Sequence, residues 1–216
     1  MGGGNIRSKE DLMNEIIDRI ASCAACPLSV SRSNVVPGEG SLDTPIMFVG
    51  EGPGEEEDLS GRPFVGRAGR LLDKIFESVQ LNREEFYITN VVKCRPPGNR
   101  TPKQEERRAC SHFLYAQIAL IQPKLIVCLG ATALSFFLET PVTMREARGK
   151  FYPWIGGIRL FVMYHPSYLL RVQSKAPGSP KYQTWEDIKL LKKVYEKLIA
   201  GWTFEQIEKE IGSGTP

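Results

Sequence analysis

The sequence predicts an α/β fold in which a parallel sheet lies between helices. Four short apolar segments bounded by Gly, Pro or polar residues are typical of buried strands: residues 46–49, 86–90, 125–130 and 160–164. Segments with helical periodicity or capping signals separate these strands. Strands that alternate with helices usually pair in parallel, with helices on both faces of the sheet.

The helices are predicted from periodicity and from their starting residues. Ser8 and Asp11 resemble a capping box, and Thr101-Pro102 is typical of a helix start. We predict helices from residue 8 into the first cysteine pair, over 71–79, over 101–121, from 131, over 184–198 and over 203–211. Residues 29–44, 91–100 and 171–181 are expected to be loops. Residues 1–200 would then form one domain and residues 201–216 a C-terminal helical extension.

Charge and composition narrow the class of protein. The formal net charge of +3 in 216 residues is mildly basic, which permits nucleic acid binding without requiring it. No run of 18 apolar residues is present, so we expect no membrane-spanning segment. The N-terminal residues contain no apolar signal region, and we therefore expect a cytoplasmic protein. In that reducing compartment, five cysteines indicate metal ligation or core packing rather than disulfides.

The segment 46–69 is the centre of the predicted site. Its apolar strand ends in Gly50-Glu51-Gly52-Pro53-Gly54, where glycines let the backbone turn sharply and approach a ligand. Glu55–Asp58 follow as a run of acids, and Phe64 then stands in a short Gly- and Pro-bounded loop. The glycine spacing matches neither a dinucleotide fingerprint nor a P-loop. A loop of this kind at the carboxyl end of a strand predicts a ligand pocket.

Three polar residues stand where predicted strands end. Glu51 follows the first strand, Asn90 ends the second and His165 follows the fourth. Taken singly, Glu51 could be a solvated turn carboxylate, Asn90 a loop cap and His165 a satisfied buried histidine. Their coincidence at one edge of a parallel sheet favours a functional site.

The cysteine spacing leaves two interpretations open. Cys23 and Cys26 form a C-x-x-C pair, Cys94 and Cys110 follow singly, and Cys128 lies inside a predicted strand. A zinc site usually has a second close pair, which this chain does not have. The spacing favours metal binding without excluding buried thiols, and Cys128 is most simply a core residue.

Four motifs in this order and spacing resemble the type-4 uracil-DNA glycosylases: GEGPGEEED, GRPFVGRAG, TNVVKCRPPGNRTP and HPSYLLR. The resemblance covers roughly residues 10–200. It implies a three-layer sandwich with a central four-stranded parallel sheet, and hydrolysis of the uracil–deoxyribose bond to free uracil and an abasic site. It also implies a structural 4Fe–4S cluster on Cys23, Cys26, Cys94 and Cys110. A related branch that links covalently to uracil-DNA carries a His-containing insertion before the Thr-Pro pair, which this chain does not have.

The resemblance also implies roles for the polar residues. Phe64 would stack on a flipped uracil, and the Asn90 amide would pair with its N3–H and O4. His165 and backbone N–H groups near Gly50 and Gly52 would donate to O2. Related branches carry an Asp at the position of Gly52, so the catalytic carboxylate is open: Glu51 is the first choice. Glu57 is the second, or it bars the 5-methyl of thymine.

DNA contacts are expected from the same edge of the sheet. Leu169 and Leu170 would form a wedge that fills the gap left by the flipped base, although one of them could instead pack on the core. Loop arginines would meet phosphates: Arg62, Arg67, Arg95, Arg100 and Arg171. The expected partner is uracil-containing DNA, single- or double-stranded, bound by a monomer. The alternatives are a catalytically weak uracil-binding protein and an iron–sulfur electron carrier.

Overall fold

A computed structural model of the chain describes residues 7–138 and 142–212. In this part of the chain the strands form one sheet in the order β1-β3-β2-β4-β6-β5. The strands are β1 (Glu39–Gly40), β2 (Ile46–Gly50), β3 (Tyr87–Asn90), β4 (Leu125–Leu129), β5 (Phe151–Pro153) and β6 (Arg159–Met163). The inner strands β3, β2, β4 and β6 are parallel, and they are the four segments predicted from the sequence.

The prediction of a four-stranded sheet is wrong in one respect, because two short antiparallel strands extend the sheet to six. β1 pairs with β3, and β5 pairs with β6. Both edge strands are only two or three residues long and carry no apolar run, so hydrophobic patterning does not reveal them. They protect the edges of the parallel core, which would otherwise present unpaired backbone groups.

Helices cover both faces of the sheet. They are α1 (Lys9–Ala21), α2 (Leu28–Ser31), α3 (Glu55–Ser60), α4 (Arg67–Glu77), α5 (Gln104–Ile121), α6 (Ala131–Phe137), α7 (Met144–Ala147), α8 (Pro166–Leu169), α9 (Pro180–Ile199) and α10 (Phe204–Ile211). Single 3₁₀ turns lie at Arg83–Glu85, Pro97–Asn99 and Ile155–Gly157.

Strand β2 shows how the two layers are built. Successive side chains of a strand point to opposite faces, and all of β2 is buried. Met47 and Val49 belong to the core cluster that includes α1, α5 and α6. Ile46 and Phe48 belong to the cluster that includes α4, α9 and α10. The α/β fold with helices on both faces is therefore confirmed.

Three predicted helix starts are wrong by three or four residues. α4 begins at Arg67, not at residue 71. α5 begins at Gln104, not at Thr101, because Glu106 accepts the backbone N–H of Lys103 at the cap position (2.7 Å). α9 begins at Pro180, not at Thr184, because the Ser179 side chain accepts the N–H of Tyr182 (3.3 Å). Ser followed by Pro is a helix-start signal. The prediction of a loop over 171–181 is therefore wrong for its last two residues, which belong to α9.

The C-terminal helix packs on the rest of the chain. Phe204 and Ile207 of α10 are buried, and the Phe204 ring lies 5.5 Å from the ring of Phe151. Arg159 at the start of β6 pairs with Glu208 (3.0 Å). The division at residue 200 into a domain and an extension stays a prediction. Among the helices described, none combines the length and apolarity needed to cross a membrane.

Candidate active site

The predicted site residues meet in a cavity of about 380 Å³ at the carboxyl ends of the parallel strands. Those that line it are Glu51, Gly52, Glu57, Phe64, Arg67, Asn90, Arg100, His165 and Leu170. The parallel register brings the ends of β2 and β3 together, with Gly50 directly beside Asn90. Open α/β sheets bind ligands at this edge, where the strand order reverses.

Asn90 places an unused acceptor at the wall of this cavity. The residue is only 1% exposed, and its Oδ1 has no hydrogen-bond partner among the described residues. Gly50 is what lets it approach: a Cβ at position 50 would lie 2.4 Å from Asn90 Oδ1 and 2.5 Å from Phe64 Cζ. A buried polar atom without a partner is rare, and it indicates that a ligand completes the pairing.

Phe64 is held in a strained loop by its neighbours. Its φ of 52° lies in the left-handed region, which is uncommon for a residue other than Gly. The Glu57 carboxylate accepts the backbone N–H groups of Val65 (2.9 Å), Gly66 (2.7 Å) and Gly54 (3.1 Å). Arg83 donates to the Phe64 carbonyl (3.0 Å). Both Glu57 oxygens are thus engaged, and this acid shapes the pocket loop; sequence reasoning missed the contribution of Arg83.

Glu51 is partly buried, and a residue that the sequence did not single out orients it. The Thr132 hydroxyl, in the first turn of α6, donates to Glu51 Oε2. Thr132 is buried, so the hydroxyl has little access to competing water. A threonine after a Gly-Ala pair carries no signal for this role, because the contact depends on β4 lying beside β2 in the sheet.

His165 is oriented by the turn that follows it. It caps α8, and its Nδ1 accepts the Ser167 backbone N–H (3.1 Å). In a neutral imidazole the proton then resides on Nε2, which remains a donor. Burial, together with the nearby Arg171 charge, lowers the pKa of His165 to about 4. The Phe64 ring lies 5.7 Å from the imidazole, so stacking surface and donor are adjacent.

Comparison with known proteins places this arrangement in a family. The model of the Uracil DNA glycosylase superfamily matches residues 37–189, which include every strand end described above. The chain belongs to the uracil-DNA glycosylase superfamily. The resemblance to its type-4 branch is confirmed by relatives that carry that name.

Three relatives show how much of the chain the similarity covers. A type-4 uracil-DNA glycosylase of Thermotoga maritima is 56% identical over 168 residues, which are 77% of this chain and 88% of the relative. Those of Archaeoglobus fulgidus and Saccharolobus solfataricus are 42% and 45% identical, over 73% and 74% of this chain and 83% and 78% of the relatives.

The two leucines that follow the superfamily's His-Pro segment differ in exposure. Leu170 is 39% exposed and lines the cavity, whereas Leu169 is 2% exposed and is not part of the lining. The alternative in which one of the two leucines packs on the core therefore applies to Leu169, and the wedge role of Leu170 stays a prediction. In a one-turn helix that covers the core, one of two adjacent side chains must point inward, and here it is the first.

The arginines around the cavity fall into two groups. Arg67 and Arg171 are exposed, and neither makes an ion pair within the described residues. The others are engaged: Arg62 with Glu39 (2.8 Å), Arg95 with Asn99 (2.7 Å) and Arg100 with both oxygens of Glu106 (2.6 and 2.8 Å). Arg100 still lines the cavity, with 37% of its side chain exposed.

Four of the five cysteines face one small cavity beside the site. Cys23 and Cys26 follow α1, Cys94 lies after β3 and Cys110 lies on α5. Among residues 7–138 and 142–212, no three Cys, His, Asp or Glu side chains are close enough to share a single metal ion. A four-iron cluster places each thiolate on a different iron, so its ligands stand farther apart than those of one ion. Cys128 is fully buried in β4, as expected of a core residue.

Two of the sulfur atoms in this cavity accept hydrogen bonds. Arg32 donates to Cys94 Sγ (3.1 Å), and the Lys93 backbone N–H donates to Cys110 Sγ (3.4 Å). Burial nevertheless raises the pKa of Cys94, and it raises the pKa of Cys110 to about 11. Ionised sulfur therefore needs a cationic neighbour here, and the donor set of four thiols with N–H groups on two of them fits an iron–sulfur cluster.

A buried lysine connects the cysteines with the cavity. Lys93 is 1% exposed, and its ammonium group donates to the Asn90 carbonyl (2.9 Å), Gln117 Oε1 (2.7 Å) and the Thr89 hydroxyl. Three acceptors satisfy its three N–H groups. The network ties α5 to the end of β3 and so fixes the backbone of Asn90.

Proposed function

We propose that this chain is a monofunctional uracil-DNA glycosylase, which hydrolyses the bond between uracil and deoxyribose in DNA and leaves free uracil and an abasic site. The observation that carries the proposal is the unpartnered Asn90 Oδ1 at the wall of a base-sized cavity. The names of the relatives at 41–56% identity support it.

Recognition would begin with a base flipped out of the DNA, since a stacked base cannot reach the cavity. Phe64 would stack on the ring. Asn90 would accept from N3–H of uracil and donate to O4. Cytosine has an acceptor at N3 and a donor at position 4, the reverse of uracil. Buried polar atoms would then remain unpaired, and each would weaken binding by about 1–3 kcal/mol.

Bond cleavage would be assisted from both sides of the glycosidic bond. Negative charge develops on the departing uracil and is shared by O2, where His165 Nε2–H and a backbone N–H near Gly52 would donate. Positive charge develops on the sugar, where Glu51 would stabilise it or orient the attacking water. Glu57 accepts backbone N–H groups of the Phe64 loop and of the α3 N-terminus, so both its oxygens have structural partners. We therefore assign the catalytic carboxylate to Glu51 and a positioning role to Glu57.

A 4Fe–4S cluster would be held by Cys23, Cys26, Cys94 and Cys110, and its chemistry there would be structural cross-linking of the chain. These residues belong to the end of α1, the segment after β3 and the helix α5. Pinning them together would support the Lys93 network and, through it, the position of Asn90.

DNA would approach the open side of the cavity. Leu170 would fill the space vacated by the flipped base, and Arg67 and Arg171 would meet phosphates. Arg100 would add a phosphate contact only from the face of its guanidinium that Glu106 leaves free. The proposed enzyme acts as a monomer on single- or double-stranded DNA.

A base-release assay tests the proposal. Purified protein is incubated with oligonucleotides that carry uracil, thymine or cytosine at one position, as single strands and as duplexes opposite guanine. Uracil alone should be released, with an alkali-labile abasic site left behind. DNA binding without release of any base would overturn the proposal in favour of a binding protein.

A further inference from the structure

A second cavity, of about 470 Å³, lies beside the proposed active site between α4 and α9. Its floor is apolar and aromatic: Leu71, Ile75, Leu169, Tyr182, Trp185 and Ile188. We refer to it as the α4–α9 groove. Trp185 remains 43% exposed, and its ring lies 5.7 Å from that of Tyr182. Two partly exposed aromatic rings on one open surface provide a stacking platform rather than a closed core.

The rim of the groove is positively charged. Lys74, Lys175 and Lys181 line it, and Lys189 Nζ lies 4.1 Å from the centre of the Trp185 ring. No carboxylate of the described residues lines the groove. The lysines that form ion pairs within the described chain are others, at positions 9, 103, 192 and 197. The groove therefore offers uncompensated positive charge to an anionic partner.

The groove adjoins the proposed active site. Leu169 forms part of its floor, while the next residue, Leu170, lines the cavity for the flipped base. Along α4, Arg67 and Ala68 line that cavity, and Leu71, one turn later, lines the groove. A DNA strand that leaves the active site past Leu170 would therefore run towards the groove.

On these grounds we propose that the α4–α9 groove binds the single-stranded flank of the uracil-containing strand. Bases of the flank stack on Trp185 and Tyr182, and the rim lysines contact its phosphates, a combination typical of single-strand binding surfaces. The inference rests on the proposed function. Because stacking needs an unpaired base, the groove would make the enzyme favour single-stranded or frayed DNA on one side of the uracil.

The chain contains a matched control for Trp185. Trp202 is 40% exposed, and Lys197 Nζ lies 4.0 Å from the centre of its ring, so the pair has the same cation–π geometry. Trp202 lies just beyond the C-terminal end of α9, whereas Trp185 lies near its start. Because a helix rises about 1.5 Å per residue, the two residues are roughly 20 Å or more apart. Loss of either tryptophan removes a similar exposed ring, but only Trp185 faces the groove.

The experiment compares Trp185→Ala with Trp202→Ala on two single-stranded substrates. One carries about two nucleotides on each side of the uracil and the other about ten, since single-strand sites span about 4–16 nucleotides. Trp185→Ala should lower kcat/KM on the long substrate by about 5-fold or more, the loss expected for one stacked base, and leave the short one unchanged. Trp202→Ala should match the wild type on both.

A binding measurement separates this inference from the proposed function. Affinity for a long thymine-only strand is measured against salt for the wild type and for Lys175→Gln/Lys181→Gln. The slope of log affinity against log salt should fall by about 1.4 in the variant, about 0.7 for each phosphate contact. If the wild type released no uracil, the proposed function would fail while this measurement still tested the groove.

Two results would overturn the inference. One is equal behaviour of Trp185→Ala and Trp202→Ala on the long substrate. The other is a Leu- and Glu-rich peptide that binds the wild type but not Trp185→Ala, while both proteins bind the long strand equally. That second result would assign the groove to an acidic protein partner.

Discussion

The Thr132 hydroxyl donates a hydrogen bond to Glu51 Oε2 across the carboxyl ends of β4 and β2. One lone pair of the carboxylate is thereby committed to the protein, and the contact restricts rotation of the side chain. A catalytic carboxylate must hold its position to within a fraction of an ångström, so this contact pre-organises the proposed catalytic carboxylate.

Removal of that donor should slow cleavage without weakening DNA binding. Thr132→Val keeps the shape but not the hydroxyl, and we expect the single-turnover rate to fall about 10-fold or more, as for a hydrogen bond to a charged group. Thr132→Ser should restore most of the rate. A valine variant as fast as the wild type would show that Glu51 needs no such support.

Glu51→Gln and Glu57→Gln should separate chemistry from structure. Glu51→Gln removes the charge, and we expect the single-turnover rate to fall far more than the affinity for DNA. Glu57→Gln replaces an acceptor with an NH₂ group that faces backbone N–H groups, so the free energy of unfolding should fall by about 1–3 kcal/mol. Rapid-quench kinetics and urea unfolding measure the two effects. A Glu51→Gln enzyme that retains its rate, beside an inactive but stable Glu57→Gln enzyme, would reverse the two assignments.

Asn90→Asp should cause a large loss of activity on uracil. The change keeps one acceptor but replaces the donor to O4 with a second acceptor, at about 1–3 kcal/mol for each lost or repelling contact. Weak activity on cytosine could accompany it at lower pH, where a protonated Asp can pair with that base. Asn99→Asp is the control, because this amide also lines the cavity but its Oδ1 already accepts from Arg95 Nε (2.7 Å). Release of uracil by Asn90→Asp at the wild-type rate would remove Asn90 from the pocket.

His165 should make the fold less stable in acid. Burial, with the Arg171 charge, lowers its pKa to about 4, below the value of about 6.5 in an unfolded chain. Between these values the unfolded state binds a proton that the folded state excludes, so stability is lost as the pH falls from about 6.5 towards 4. Urea unfolding at about pH 7 and pH 5 measures how much the free energy of unfolding falls in acid. This fall should be smaller for His165→Ala than for the wild type. The same variant should cleave about 10²–10³-fold more slowly, as for an oxyanion donor.

Purified protein should be brown and contain about four irons per chain if the cysteine cavity holds the proposed cluster. Cys94→Ala should lose the visible absorbance and unfold more readily, because its sulfur faces the cysteine cavity. Cys128→Ala should keep the colour, since Cys128 is buried in β4 away from that cavity. Stoichiometric zinc in a colourless wild-type protein would contradict the cluster.

The sequence predicted those features that depend on local pattern. The four parallel strands are apolar runs, and Glu51, Asn90 and His165 could be placed together because parallel strands end at one edge. The edge strands β1 and β5 were not predictable, since pairing with β3 and β6 defines them.

The side-chain contacts that were missed depend on distant parts of the chain. Thr132, Arg83 and Lys93 act through neighbours that only the fold brings close. The engagement of both Glu57 oxygens likewise depends on the path of the Phe64 loop. Leu169 could not be told from Leu170, because adjacent leucines in a one-turn helix have identical sequence signals.

The loop that carries Phe64 is in place before any base arrives. Glu57 accepts the backbone N–H groups of Val65 and Gly66, and Arg83 donates to the Phe64 carbonyl. Gly69 packs so closely that a Cβ there would lie 1.8 Å from the Phe64 carbonyl oxygen. No induced fit is then needed at this wall. This wall would lose little conformational entropy on binding, and in a duplex the cost of extruding the base would then lie in the DNA. Selection between bases would thus start in the DNA, where weakly paired uracil opposite guanine opens more often than uracil opposite adenine.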